Sequence, residues 1–190
     1  MQFDRKDWSH FAAGLTMLDW AVAVPSYPLA PTATIPQIGG HIADAITLAA
    51  GMVNGPIVLT GHSAGGQLVA RMAMENAGLG PDVAARIHNI VPISPVGDLR
   101  PLLQTGMNSR LGLNAETAVA ESPSLHAKHM KTQVHTWVGA DERPAFLAQA
   151  KQLADAWNGP LTVEPDRHHF DVIDGLLDPE HPLCRAIDLA

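Results

Sequence analysis

Five consecutive residues, Gly61-His62-Ser63-Ala64-Gly65, carry the side chain best suited to covalent chemistry. The stretch before them, Ile57-Val58-Leu59-Thr60, reads as a buried strand; after them Leu68, Val69, Met72 and Ala73 recur at the spacing of a helix face. Ser63 therefore stands at a sharp strand-to-helix turn. Glycine two positions to either side suits such a turn, where the backbone takes strained dihedrals while strand and helix pack closely. The turn lifts the Ser63 hydroxyl out of the sheet and aims the first helix amides, beginning with that of Ala64, at a developing oxyanion. A serine attacks only once a base takes its proton. Imidazole titrates in the range for that task, and a carboxylate on its far nitrogen fixes the tautomer and stabilises the imidazolium. A bare glycine-rich turn can spell the same five letters, so the reading depends on finding those two partners.

Where they should lie follows from the elements. The pattern predicts a helix over 7–18, a strand over 20–24 ended by Pro25, a proline-studded loop over 25–31 and a helix over 36–50. Beyond the serine come strands over 87–94, 134–138 and 161–164 and helices over 144–157 and 169–177. Strand-helix alternation of this kind specifies an α/β fold, a mostly parallel sheet with helices on both faces, in one domain spanning 1–190. Residues 95–131 break the rhythm with Pro95, Gly97, Pro101, Gly106, Gly112 and Pro123, leaving room for short helices near 99–104 and 115–120. A long irregular insertion in a compact domain is usually functional, and a substrate-covering cap is expected there.

Functional groups of a parallel sheet gather at the carboxyl ends of its strands. The loop after 134–138 contains Asp141 and Glu142, and the loop after 161–164 contains His168 and His169. The chain order serine, acid, histidine is that of an α/β-hydrolase. Spacing leaves both pairs open, and the unused member of each is expected to be a solvated loop residue or a helix cap.

These residues resemble the arylformamidase (kynurenine formamidase) branch of the α/β-hydrolases, next to the hormone-sensitive-lipase-like esterases. Gly61-His62-Ser63-Ala64-Gly65-Gly66 is shared across the superfamily; His169-Phe170-Asp171-Val172-Ile173 looks like the branch's histidine block. Glu142-Arg143-Pro144-Ala145-Phe146 with Gln149 looks like its acid block. The resemblance, which also takes in Asp7-Trp8-Ser9-His10 and Tyr27-Pro28-Leu29-Ala30-Pro31, implies Ser63 as nucleophile, His169 as base and Glu142 as its acid, with Asp141 as the rival. It further implies hydrolysis of a small amide or ester, most like N-formylkynurenine, with a short-chain carboxylesterase as the alternative. One block of the branch is missing: no HGG sequence, whose amides supply half of the oxyanion hole, occurs in the chain. The resemblance places that motif, and a strand before it, ahead of residues 2–12, so Met1 is expected to be an internal methionine of a longer protein. Three outcomes are open for the gap between strands 57–60 and 20–24: closure, a neighbouring chain that would make a homodimer, or an exposed edge. Loss of one oxyanion donor typically costs about 10²–10³ in rate, which keeps a catalytically impaired fragment or a ligand-binding paralogue as the alternative of another class.

Composition narrows the rest. With 190 residues, 46% of them hydrophobic, one substantial core is available. A net charge of −7 with 12 scattered Lys and Arg argues against nucleic acid as partner. Cys184 is the single cysteine, so an intrachain disulfide is excluded and a cytoplasmic location is the default. The charged start, Met1-Gln2-Phe3-Asp4-Arg5-Lys6-Asp7, is unlike a signal peptide, and no membrane span is expected. No nucleotide-binding glycine pattern appears, so no organic cofactor is expected. His126, His129 and His135 lie close in sequence but without carboxylate or thiolate company, so no metal is expected. Tyr27, Trp8 and Met107 are candidates to line an acyl pocket, core packing being the alternative for each, and Met72, Met74, Met107 and Met130 are expected to fill core and cap gaps.

Overall fold

The computed structural model describes residues 5–129 and 131–188. Thr34 opens helix α1 (Ile35–Met52) with a full capping box: its side chain accepts from Gln37 N–H while the Gln37 side chain receives the Thr34 N–H. Strand β1 (Ile57–His62) leads into α2 (Ala64–Arg71), and strands β2 (Ile87–Ile93), β3 (Gln133–Val134) and β4 (Thr136–Gly139) follow. Helix α3 (Pro144–Trp157), strand β5 (Leu161–Glu164) and helix α4 (Pro182–Asp188) complete the chain.

The sheet is parallel, in the order β1-β2-β4-β5, with β3 beside β2. Its register aligns the carboxyl ends, with His62 opposite Ile93, Ile93 opposite Trp137 and Gly139 opposite Glu164. Period-2 alternation sends neighbouring side chains to opposite faces. Leu59 and Ile90 pack with α1, α2 and α3 in one core that includes Ile38, Leu68, Met72 and Leu153. Val91 and Ile93 enter a second core with Leu15, Val172, Leu176, Leu183 and Ile187. Helical elements therefore cover both faces, as the alternation predicted.

Three expected elements differ. Residues 7–18 form short turns, Arg5–Trp8, Ser9–Ala12 and Ala13–Thr16, in place of one helix. Residues 169–177 form a 3₁₀ segment only over Val172–Leu177. Residues 20–24 form no strand. That segment has the composition of a strand, but a strand needs a ladder partner, and among the described residues none pairs with the outer edge of β1. The space between holds an apolar groove of about 240 Å³ lined by Trp20, Val22, Tyr27, Val58, Thr60 and Leu68, among others. Trp20 is held instead by its indole N–H on Asp188, 2.9 Å away.

Residues 95–131 contain short helical turns, among them Arg100–Gln104, Asn108–Leu111 and Ala115–Ala120. Leu99, Leu113 and Ala118 form a small core with Ile35 at the start of α1. A buried ion pair fastens this segment to the rest: Arg71 at the end of α2 holds Glu121, whose carbonyl also accepts from Gln67 at 2.9 Å. Met72 and Met74 are buried; Met107 is 57% exposed, and Met130 lies outside the described residues.

Candidate active site

Ser63 occupies the junction of β1 and α2 with φ 57° and ψ −113°, a strained backbone for a residue with a side chain. Close packing makes the turn possible. A Cβ on Gly61 would sit 2.4 Å from the Gly65 carbonyl oxygen, and one on Gly66 would sit 2.9 Å from that of Ile93. Gly65 itself has open space where its Cβ would be, so the close approach falls on Gly61 and Gly66 and the symmetric expectation for the pentapeptide is corrected. Ser63 N–H donates to Ile93 O at 2.9 Å, which ties the turn to β2. Ala64 opens α2, where the first amides have no acceptor within the helix.

The two loops that should supply partners meet at this turn. Glu142 follows β4 and stands just before α3; His169 follows β5. Gly139 marks the contact between the loops: a Cβ there would lie 2.3 Å from Arg167 O. Ala140 N–H donates to Glu164 O at 2.7 Å and Asp141 N–H to Arg167 O at 2.9 Å. This close seam brings the histidine into line with both other groups. His169 Nδ1 donates to Glu142 Oε2 at 2.6 Å, and Ser63 Oγ lies 3.1 Å from His169 Nε2. A carboxylate on Nδ1 selects the tautomer whose Nε2 lone pair accepts the hydroxyl proton.

Glu142 is deeply set, 6% exposed. Burial alone would favour the neutral acid, but hydrogen bonds from His169, Ser94 and the Gly139 amide together hold the carboxyl below its ordinary value. Gly139 N–H reaches Oε1 at 3.0 Å, and the Ser94 hydroxyl donates to the same oxygen. Ser94 is wholly buried at the carboxyl end of β2 with φ 47°.

Asp141 is exposed on the loop, its amide bonded to Arg167 O. Of the rival acids, the structure brings Glu142 to the imidazole. His168 is likewise turned outward, 3.2 Å from Asp171. Tyr27 lines the groove beside β1, its phenol pKa raised by burial, whereas Met107 sits exposed on the 95–131 segment. Trp8 stacks on Phe11 at 5.9 Å, in the N-terminal turns. His126 and His135 bond to Val119 O and Thr162 Oγ1, at 2.9 and 2.8 Å, and no metal-holding group of His, Cys, Asp or Glu is found among the described residues.

The sequence reading gave Ser94, His62 and Phe146 no contact in the site, although Phe146 stood in the acid block. Ser94 had a signal, its place at the end of a strand beside the elbow; His62 lay within the pentapeptide itself. Phe146 stacks on the His169 ring at 4.0 Å, a contact only the folded loops create.

The sequence profile of the α/β-hydrolase fold matches residues 7–159, and the chain belongs to that family. Among curated relatives, kynurenine formamidase of Danio rerio is 26% identical over 98% of this chain and 68% of its own length. That of Salmo salar is 28% identical over 69% of this chain, which spans about half (48%) of that protein. Of solved structures, one described as a candidate thioesterase, from Silicibacter sp. TM1040, shares 49% identity with a TM-score of 0.96, over 98% of this chain and 71% of that one. An esterase of Pyrobaculum calidifontis shares the fold at 19% identity and TM-score 0.71, over 97% of this chain and 70% of its own. The relatives and neighbours support a hydrolase. No helix among the described residues is long and apolar enough to cross a membrane.

Proposed function

We propose that the chain is a serine hydrolase that cleaves a small amide or ester, most like N-formylkynurenine, giving kynurenine and formate. The observation that carries this reading is the unbroken chain of contacts from Ser63 Oγ through His169 to Glu142, 3.1 and 2.6 Å long. Ser63 attacks the acyl carbon while His169 Nε2 takes its proton; Glu142 holds the imidazolium that results. The amide of Ala64, at the positive end of α2, faces the oxygen on which charge develops. His169 then returns the proton to the leaving amine or alcohol, and water repeats the cycle on the acyl-serine. The reaction needs a small-molecule partner and no cofactor, and a cytoplasmic location suits it.

The acyl and leaving groups are the finer part of the proposal. The formamidase relatives favour a formamide, whereas the 49% identity to the candidate thioesterase favours a second reading, in which the leaving group is a thiol. Both use the same nucleophile. Hydrolysis of N-formylkynurenine, p-nitrophenyl acetate and a short acyl thioester, each followed by absorbance with Ser63→Ala as control, separates them. Fastest turnover of N-formylkynurenine supports the formamidase reading, and turnover confined to the ester or thioester replaces it. No turnover combined with no labelling of Ser63 by a fluorophosphonate supports the non-catalytic alternative.

A further inference from the structure

Ser63 is anchored by a strand and a helix; His169 lies on a loop without regular structure. Their 3.1 Å approach therefore depends on what holds that loop. Several bonds close it on itself: His168 N–H donates to Asp171 Oδ1 at 2.6 Å, and Val172 N–H to His168 O at 3.1 Å. The Asp141 amide ties Arg167 to the acid loop. A different bond comes from the nucleophile's own strand. His62, the last residue of β1 and paired in register with Ile93, places Nε2 2.7 Å from the main-chain oxygen of His169. Its ring also lies against the His169 ring, the centroids 4.6 Å apart.

We propose that His62 is a positioning residue for the base: its Nε2–H holds the His169 carbonyl and so ties the loop that carries the base to the strand that carries Ser63. The proposal rests on the reading of His169 as that base. A carbonyl can only accept, so the nitrogen facing it must carry the proton. Burial and the neighbouring His169 lower the His62 pKa to about 4, partly offset by the backbone bond and by Glu142, which keeps the ring neutral at working pH. A neutral donor holds the loop without setting a second positive charge beside the imidazolium that forms during catalysis. Alternate sides of Ser63 thus do separate work, with His62 reaching to the base and Ala64 to the oxyanion.

The test compares two amide side chains that differ by one methylene. The amide nitrogen of His62→Gln reaches about as far as Nε2, whereas that of His62→Asn falls short. With p-nitrophenyl acetate as substrate and fluorophosphonate as probe of Ser63, His62→Asn should lose about 10-fold or more in kcat and in labelling rate, with KM little changed. His62→Gln should recover most of that loss. Equal activity of the two variants, whether both full or both low, overturns the proposal. Wild-type protein inert to both reagents overturns the serine-hydrolase reading and the proposal with it, and a reactive wild type with indistinguishable variants overturns the proposal alone.

Discussion

The two flanks of β1 are built to different standards. Toward β2, β4 and β5, main-chain groups pair across the sheet, Glu142 receives three donors, and the loops after β4 and β5 touch so closely that glycine is required at position 139. Away from β2, among the described residues, no strand pairs with β1, and an apolar groove lies between it and the irregular chain at 20–25. The contrast teaches that the contacts joining Ser63, His169 and Glu142 are made on the packed side of β1. The outer flank is where the resemblance places the strand and HGG motif that the chain lacks, and its groove is lined by Tyr27, the candidate offered for an acyl pocket.

The largest effect that sharpens this contrast should come from the acid. Glu142→Gln should lower kcat by about 10³–10⁴, as expected when a histidine loses its orienting carboxylate, while Asp141→Asn should change it less than about 3-fold. Steady-state kinetics on one ester substrate decide it, and a large loss in the Asp141 variant would reverse the assignment. Next comes the packing difference. Ile90 is fully buried between strands and helices, so Ile90→Ala should cost about 2–5 kcal/mol in thermal or denaturant unfolding. Val22, only half-buried on the groove wall, should cost about 1 kcal/mol when cut to alanine, and equal costs would mean that the groove is closed in solution.

The smallest effect concerns Ser94. Because the folded-state pKa of Glu142 is held below its unfolded value, its stabilising contribution is present above the ordinary carboxylate pKa and is lost as pH falls through the folded value. Ser94→Ala removes one of the bonds responsible. Acid unfolding of that variant should therefore begin at higher pH than in the wild type, by a few tenths of a unit, in a circular-dichroism titration. An unchanged midpoint would assign the depression to His169 and Gly139.

Much of this was legible in the chain because the signals were local. The limits of α3 and β5 follow from Pro144, from the apolar spacing up to Trp157 and from the short run Leu161–Glu164; the broken character of 95–131 follows from its prolines and glycines. The segment at 20–24 misled because strand composition describes what a residue can do, and a strand forms only where a neighbour offers a ladder. Residues 7–18 and 169–177 carried helical spacing, yet tertiary contacts settled them as short turns and a 3₁₀ segment.

By itself the sequence determined the candidate nucleophile, since a serine flanked by glycines between strand and helix presets its own backbone. It also gave the order in which the candidate acid and base follow. Only the tertiary structure decided which acid meets the histidine and what steadies the pair. Adjacent residues such as Asp141 and Glu142 differ in direction, and direction is set by the packing of Gly139 against Arg167, 28 residues apart in the chain, and by the donors that Ser94 and His62 bring from the ends of other strands.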